Sequence, residues 1–254
     1  MYKISCVKYT NSLPFIYGLE KSSISQNIIL ELDTPAECYR KLLNKEVDIG
    51  LVPVVAIQSL KEKHFISSYG IGASGKVKSV ILATGTALNE IKTIYLDYQS
   101  RTSVQLVRLL AKEHWKINPE FLQAEHGFVN KKIPEGTAYV VIGDRAFSFY
   151  KTDYLIYDLS EEWKKFTEKD FVFATWIANR EINREFIIEF DKALKAGLGM
   201  RKMIIQDLIP NLNGVDINLE EYFYKNINYN FGSEARDGME LFLNLLNQQQ
   251  EQKK

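Results

Sequence analysis

The 254-residue chain contains little cysteine or histidine: two cysteines, Cys6 and Cys38, and three histidines. Two cysteines allow only one disulfide, whereas proteins of oxidising compartments usually carry more bridges, so we expect two reduced thiols. The histidines, His64, His114 and His126, stand at scattered spacings, and neither an H-E-x-x-H nor a C-x-x-C motif is present. We therefore expect no metal site.

The chain also lacks an excess of either charge, since 32 Lys and Arg residues balance 32 Asp and Glu residues. Proteins that mainly bind nucleic acids or anionic membranes usually carry a basic excess. The balance therefore argues against both partners. It still allows a local positive site for a small anion.

Long apolar runs are missing as well. No run reaches the roughly 18–20 residues that a membrane-spanning helix needs. At the N-terminus, Lys8 interrupts the short apolar run 4–7, so the pattern of a secretory signal is not met. We expect a cytoplasmic protein without membrane segments.

The apolar residues that are present, together 46% of the chain, suffice for a packed core. Short β-branched or apolar runs alternate with amphipathic stretches of helical length, which predicts an α/β fold with a largely parallel sheet. The predicted strands cover residues 2–7, 28–32, 48–52, 77–84, 93–97, 138–142, 154–157 and 171–178.

Helix start signals lie between several of these strands. Thr34, Pro35 and Glu37 supply a capping residue, a proline for the first turn and a capping-box glutamate, which predict a helix to about residue 44. A second capping signal at 102–105 precedes the run 106–114. Further predicted helices cover 183–206 with a break near its two glycines, 219–226 and 234–247. We expect a loop at 211–218 and a frayed tail at 248–254.

No linker rich in Pro, Gly or Ser divides the chain, so two lobes would have to be joined by extended strands. The best crossing candidates are the apolar strands 80–85 and 171–178. This layout predicts one lobe from residues 1–84 plus 178–254 and a second lobe from residues 85–177. A cleft between two lobes is a common place for a small ligand.

The glycine-rich string GIGASGK at 70–76 matches a G-x-G-x-x-G motif and nearly matches a phosphate-binding loop. Val77 stands where such a loop needs Ser or Thr to hold magnesium, and both motifs require a helix directly after the glycines. Residues 77–82 favour a strand instead. We interpret the string as a flexible turn between strands.

Polar residues follow three predicted strands, at positions that would begin helices: 8–14, 98–103 and 143–145. Ligands of α/β sheets gather at such strand ends, where free backbone N–H groups of helix N-termini receive carboxylates or phosphates. Hydroxyls of the segment 100–103 would add neutral donors, and Arg101 a positive one. Each segment alone has a purely structural alternative as a helix cap. Several of them directed at one cleft predict an anion site.

Seven strings occur in one order along the chain: NSLPFIYGL (11–19), EVDIGLVPVVAI (46–57), SGKVKSVIL (74–82), LDYQSRTS (96–103), VVIGDRAF (140–147), YDLSEEW (157–163) and FVFATWIA (171–178). Together they closely resemble the chorismate dehydratases of the futalosine route to menaquinone, over residues 4 to about 246. Ser12 replaces a usual Thr and Lys76 a usual Pro, but neither change removes an expected reactive group.

The resemblance implies a two-lobed fold of the periplasmic-binding-protein type II class, with two crossover strands and a ligand cleft between the lobes. It also implies dehydration of chorismate, the small-molecule substrate, to 3-(1-carboxyvinyloxy)benzoate without a metal or organic cofactor. By motif match, Asn11 and Ser79 are carried over as catalytic residues. The substrate-binding candidates are Ser100, Arg101, Thr102, Ser103 and Asp144.

Structural alternatives stand beside these roles. Asn11 could cap the first helix, and Ser79 could face solvent from a strand. Arg101 could pair with Asp97 or Asp144 as part of the scaffold. Aromatic residues that could line the cleft or belong to the core are Tyr9, Tyr98 and Trp176.

Other functions also stay open at this point. A sister enzyme of the pathway, 1,4-dihydroxy-6-naphthoate synthase, resembles this fold. A solute-binding protein of a transporter is a rival of another class, although no export signal is evident. An effector-sensing domain of a regulator is a third, although no helix-turn-helix accompanies it.

Overall fold

The computed structural model describes residues 1–209 and 217–251, which form two β-sheets and the helices around them. The first part of the chain forms β1 (Tyr2–Val7), α1 (Leu13–Glu20), β2 (Ile28–Asp33), α2 (Pro35–Leu43), β3 (Ile49–Pro53) and β4 (His64–Ala73). The middle part forms β5 (Val80–Thr84), β6 (Thr93–Leu96), α3 (Thr102–Leu109), β7 (Glu120–Gln123), β8 (Thr137–Ile142), β9 (Leu155–Asp158) and α4 (Leu159–Thr167). The last part forms β10 (Phe171–Ala178), α5 (Arg184–Gly199), α6 (Arg201–Leu208), α7 (Leu219–Glu221), β11 (Asn228–Asn230) and α8 (Ser233–Glu251).

Three less regular helical segments complete these elements. A π-helical turn, Leu110–His114, continues α3, and another, Tyr222–Asn226, continues α7. A 3₁₀ segment, Gly143–Lys151, follows β8.

Each sheet combines parallel and antiparallel strands. The first has the order β11-β4-β10-β3-β1-β2, and the second has the order β7-β6-β8-β5-β9. In the first, β1 pairs in parallel with β2 and β3, and in the second β6 pairs in parallel with β7 and β8. The antiparallel pairs are those of β10 with β3 and β4, of β5 with β8 and β9, and of β11 with β4. β5 and β10 are the first strands after the chain changes sheets. The α/β class is confirmed, but the expectation of a largely parallel sheet is wrong, because the parallel pairs are confined to β1 with β2 and β3 and to β6 with β7 and β8.

The chain changes sheets twice. Strand pairing places Val80–Thr84 wholly in the second sheet and Phe171–Ala178 wholly in the first. The short segments 74–79 and 168–170 therefore carry the chain across, just before the two strands that the sequence suggested as crossings. The predicted limits of the two lobes stay a proposal: 1–84 plus 178–254 for the first and 85–177 for the second. The strand pairing favours limits slightly earlier in the chain.

All eight predicted strands overlap observed ones, whereas β4, β7 and β11 were not predicted. The interpretation of 70–76 as a turn is wrong for its first half, because Gly70 and Gly72 lie inside β4. A Cβ on either glycine would come within 2.8 Å of the carbonyl oxygens of Ala174 or Phe171. These glycines therefore allow β4 to lie close against β10, which gives them a structural role.

The predicted helices are largely confirmed. Thr34 accepts a hydrogen bond from the Glu37 backbone N–H, and Pro35 begins α2 as expected. The break predicted near Gly197 and Gly199 falls at Met200, between α5 and α6. The predicted loop at 211–218 lies mostly outside the described residues. The predicted frayed tail is helical as far as Glu251, the last residue described.

One apolar core extends over both sheets, and a smaller cluster lies on the second sheet. The largest fully buried side chains include Trp163 and Trp176. Cys6 and Cys38 are buried free thiols. Within residues 1–209 and 217–251, no helix is both long and apolar enough to span a bilayer. Over the same ranges, no three His, Cys, Asp or Glu side chains gather in a way that could hold a metal ion.

Candidate functional site

A cleft lies where the carboxyl ends of parallel strands from both sheets meet. It encloses about 550 Å³, counting its open mouth. Residues at or just after the carboxyl ends of β1, β2, β3, β6 and β8 line it, together with the crossing segment and parts of β4, β5 and β10. Strand ends are the usual ligand position in α/β sheets, so the topology itself concentrates loop side chains here.

Six of the seven predicted site residues line this cleft: Asn11, Ser79, Ser100, Arg101, Thr102 and Ser103. Asp144 does not belong to the lining. Its carboxylate accepts a hydrogen bond from the Thr10 backbone N–H, with N–O distances of 3.1 and 3.3 Å. Asp144 thus joins the segments after β8 and β1. The roles assigned to all seven residues remain predictions.

Asn11 is held by contacts on its two carbonyl groups. It lies in the 3₁₀ turn Thr10–Ser12 that leads from β1 into α1. The Ser12 hydroxyl donates to its side-chain oxygen at 3.0 Å, and the Tyr229 hydroxyl donates to its backbone oxygen at 2.9 Å. Its side-chain NH₂ group makes no hydrogen bond within the described part of the chain. The position before α1 is taken by Ser12, so the capping alternative for Asn11 is not supported.

Ser79 lies in a tight turn of the crossing segment and is 1% exposed, so the alternative that it faces solvent is wrong. Its N–H donates to the Val77 carbonyl at 2.8 Å, and the intervening Lys78 has φ +61°. A left-handed conformation is unfavourable for a lysine and persists only where neighbouring contacts impose it. The Gly143 N–H, at the end of β8, donates to the Ser79 carbonyl at 2.8 Å and fixes the turn from the other side.

The contact that imposes this turn is the Asp158 carboxylate. One of its oxygens accepts from the N–H groups of Val77 and Lys78 at 3.0 and 2.7 Å. Its other oxygen accepts from two N–H groups in the first turn of α4, at 3.1 and 3.2 Å. Burial raises the pKa of Asp158 to about 6, although all four N–H groups act in the opposite direction. A single buried carboxylate therefore ties the Ser79 turn to the second sheet.

The segment 100–103 is ordered mainly by local contacts. The Ser100 hydroxyl accepts from the Ser103 N–H at 3.0 Å. Arg101 occupies the N-cap position of α3, so the prediction that Thr102 caps this helix is wrong. The Thr102 hydroxyl donates instead to the Phe173 carbonyl of β10 at 3.2 Å. The N-terminus of α3 consequently meets the cleft, where its free N–H groups favour an anion.

Arg101 has no carboxylate partner among the described residues. Its guanidinium lies over the Tyr39 ring, 4.9 Å from the ring centroid. The scaffold alternative for Arg101 is wrong, because Arg145 pairs with the fully buried Asp97, at 2.7 Å. Among the described residues that line the cleft, Arg101 is the only charged one. An Arg with no carboxylate partner is well suited to bind a ligand carboxylate in a two-pronged manner.

Of the three aromatic candidates, only Tyr9 lines the cleft. Its hydroxyl donates to the Gln99 side-chain oxygen at 2.5 Å, and Arg145 donates to the same oxygen at 3.0 Å. Burial raises the pKa of Tyr9, so its hydroxyl stays protonated at neutral pH. Tyr98 packs with His126 in the smaller cluster, and Trp176 lies in the main core.

Two residues that support the site were missed by the sequence interpretation: Asp158 and Tyr229. Asp158 stands in the string at 157–163, but nothing local distinguishes it from an ordinary helix cap. Tyr229 belongs to the region after α7, which contributed no string to the resemblance. Tyr229 is 218 positions from Asn11, which it contacts, and no sequence pattern predicts a contact over such a separation.

Comparison with known proteins places this geometry in a family context. A family model described as menaquinone biosynthesis matches residues 2–248. A curated chorismate dehydratase of Thermus thermophilus is 27% identical over 265 residues, which cover 96% of this chain and 95% of that protein.

Solved structures share the fold at low sequence identity. A protein of Archaeoglobus fulgidus aligns with a TM-score of 0.75 and 12% identity over 98% of this chain and 97% of that one. A Candida albicans protein, described as having the generic periplasmic binding protein fold, aligns with a TM-score of 0.59 and 12% identity over 97% and 90%. The predicted two-lobed fold of this class is confirmed.

Proposed function

Because the chain belongs to the menaquinone biosynthesis family, we propose that it is a chorismate dehydratase, a carbon–oxygen lyase. The proposed reaction converts chorismate to 3-(1-carboxyvinyloxy)benzoate and water, in the cytoplasm, as a step of the futalosine route. The observation that carries it is the convergence of Asn11, Ser79 and the segment 100–103 on one cleft whose described lining holds a single charge, that of Arg101.

The reaction requires the site mainly to orient the substrate, because the formation of an aromatic ring already favours the product. Chorismate carries a ring carboxylate, an enolpyruvyl carboxylate and a hydroxyl beside the ether-bearing ring carbon. The C–H bond of that carbon breaks, its electron pair enters the ring, the neighbouring C–O bond breaks, and the hydroxide leaves as water with a proton. Since the ring becomes aromatic, the site has mainly to hold one conformer and stabilise the charge that develops.

Binding of the dianion is assigned to the segment 100–103. The Arg101 guanidinium and the N-terminus of α3 supply positive potential for one substrate carboxylate. No Asp or Glu stands among the described lining residues, so nothing there repels a dianion. The hydroxyls of Ser100 and Ser103 lie beside the same helix end and add neutral donors.

The reacting end of the substrate is assigned to Asn11 and Ser79. The free NH₂ group of Asn11 can donate to the ring carboxylate as negative charge develops on it. The Ser79 hydroxyl can donate to a carboxylate or to the departing hydroxyl. The described lining contains no His, Glu or Lys that would serve as a general base. We therefore assign proton removal to the enolpyruvyl carboxylate of the substrate itself.

The test is incubation of purified, metal-stripped protein with chorismate, followed by mass spectrometry and proton NMR. The proposal predicts a product lighter by one water, with aromatic ring protons, and heat-unfolded protein as control should give none. Chorismate that persists while a later, cyclic pathway intermediate is consumed would assign the chain to the sister enzyme. Tight binding of chorismate without conversion would indicate a binding protein.

A further inference from the structure

Tyr222 carries a buried hydroxyl with no assigned use. The residue is fully buried, and its hydroxyl has no hydrogen-bond partner within residues 1–209 and 217–251. Its ring is fixed by an edge-to-face contact with Phe147, with a centroid distance of 5.0 Å. A buried polar group without a partner is costly, and most proteins avoid it unless the group has a function.

The neighbour of this hydroxyl is the Ser79 side chain. Burial raises the pKa of Tyr222 well above its ordinary value, and the nearby Ser79 side chain acts in the opposite direction. The two side chains are therefore neighbours, although no hydrogen bond joins them. The Ser79 hydroxyl donates instead to the Val77 carbonyl at 3.4 Å, which is long for an O–H···O bond.

Two contacts hold the segment that carries Ser79 against the segment that carries Tyr222. Lys78, next to Ser79, forms an ion pair with Glu221, next to Tyr222, at 3.0 Å. The side chain of Asn226, at the end of the π-helical turn, donates to the Lys76 carbonyl at 3.1 Å. The π-helical turn is thus held against the crossing segment on both sides of the two neighbouring hydroxyls. Irregular turns of this kind occur frequently at functional sites.

We propose that Tyr222 is a positioning residue for Ser79, and that its hydroxyl donates to the Ser79 oxygen when substrate is bound. A serine hydroxyl has one hydrogen to donate and two lone pairs that accept. With Tyr222 as donor to one lone pair, the Ser79 hydrogen leaves the weak bond to Val77 and turns to the substrate. The inference rests on the proposed dehydration and on Ser79 acting in it.

The experiment is Tyr222→Phe, studied in the wild-type and the Ser79→Ala background. Removal of a hydroxyl that lacks a partner should leave the melting temperature unchanged or raise it. Turnover of chorismate at saturation should fall about tenfold, since one hydrogen bond made in the transition state is lost, with KM changed by less than about twofold. In the Ser79→Ala background the same substitution should cause no further loss.

Tyr229→Phe is the contrasting variant, since its hydroxyl is already bonded, to the Asn11 carbonyl. It should lower the melting temperature, and its effect on turnover should persist in the Ser79→Ala background. A Tyr222→Phe protein with wild-type turnover would overturn the inference, as would a fall in turnover that persists without Ser79. Wild-type protein that neither converts nor binds chorismate would instead overturn the proposed function, and this inference with it.

Discussion

The two ends of the cleft present different chemistry and are ordered in different ways. The reacting end, Asn11 and Ser79, is neutral, and its support comes from Asp158, Tyr229 and Gly143 in distant parts of the chain. The capture end, residues 100–103, holds the one charged side chain of the described lining and is ordered mostly by its own neighbours. A fixed charge suits capture of a dianion, whereas neutral donors aid the reaction without being titrated.

The largest effect should come from placing a charge at the neutral end. Asn11→Asp keeps the side-chain size but sets a negative charge beside a dianionic substrate and removes the NH₂ donor. Loss of one such donor commonly costs about 10²–10³ in turnover, and we expect at least this reduction in the rate of chorismate loss. Asn27→Asp, at an exposed site outside the cleft, is the matched control. Wild-type turnover of Asn11→Asp would remove Asn11 from the mechanism.

Removal of the charge at the capture end should act differently. Arg101→Ala should raise KM about 10–100-fold, because a charged hydrogen-bonding partner of the substrate is lost, and should change kcat much less. Arg108→Ala, within α3 but outside the cleft, should leave both constants unchanged. Initial rates over a wide range of chorismate concentration separate the two constants. A fall in kcat with unchanged KM would place Arg101 at the reacting end.

The support of the reacting end should depend on pH. Since the pKa of Asp158 is raised to about 6, its carboxylate gains a proton as the pH falls through 6 and loses acceptor capacity for the Ser79 turn. Turnover should therefore decline below about pH 6 in the wild type. Asp158→Asn, which does not titrate, should be slower at pH 7.5 and should lack this decline.

The contribution of Asp158 to stability should change with pH in the opposite direction to turnover. A raised carboxyl pKa means that the folded protein binds this proton more tightly than the unfolded chain does. The contribution of Asp158 to the free energy of unfolding therefore increases as the pH falls from 7 to 4. Denaturant titrations of wild type and Asp158→Asn isolate this contribution. A shared loss of activity and of this stability term below pH 6 would mean that local unfolding, not Ser79 placement, limits turnover.

The smallest effect should come from the group that orients the Asn11 amide. Ser12→Ala removes the hydroxyl that donates to the Asn11 side-chain oxygen, so the amide can rotate away from its productive orientation. We expect about a fivefold loss of kcat, which corresponds to one neutral hydrogen bond. Ser12→Thr keeps the hydroxyl and should keep most of the activity. Equal activity of both variants would show that Asn11 is oriented by its backbone alone.

The same contrast explains which features were predictable from sequence. The capture end lies in one tetrapeptide at a strand end, so its residues could be chosen from local pattern and from the resemblance. Asn11 and Ser79 came from the resemblance, but their supports did not, because Asp158 looks like an ordinary cap and Tyr229 lies over 200 positions from Asn11. The sequence could not show which arginine, Arg101 or Arg145, forms an ion pair with Asp97. Only the fold shows that Arg145 reaches Asp97 and leaves Arg101 without a described carboxylate partner.

The prediction of strands from the sequence was limited in a similar way. Runs of β-branched residues predicted the buried strands well, whereas β4 was hidden by glycines that its close contact with β10 requires. The direction of β5 and β10 was also not predictable, because it depends on how the chain re-enters a sheet after crossing. Local pattern therefore yields the elements, and the pairing between remote segments decides their orientation.

The most direct test of the division between capture and reaction is one comparison of chorismate turnover by wild type, Arg101→Ala and Ser79→Ala, measured at limiting and at saturating substrate. Saturation should restore most of the rate to Arg101→Ala and little of it to Ser79→Ala. Recovery of both variants at saturation, or of Ser79→Ala alone, would contradict the assignment of Ser79 to the reacting end and Arg101 to capture.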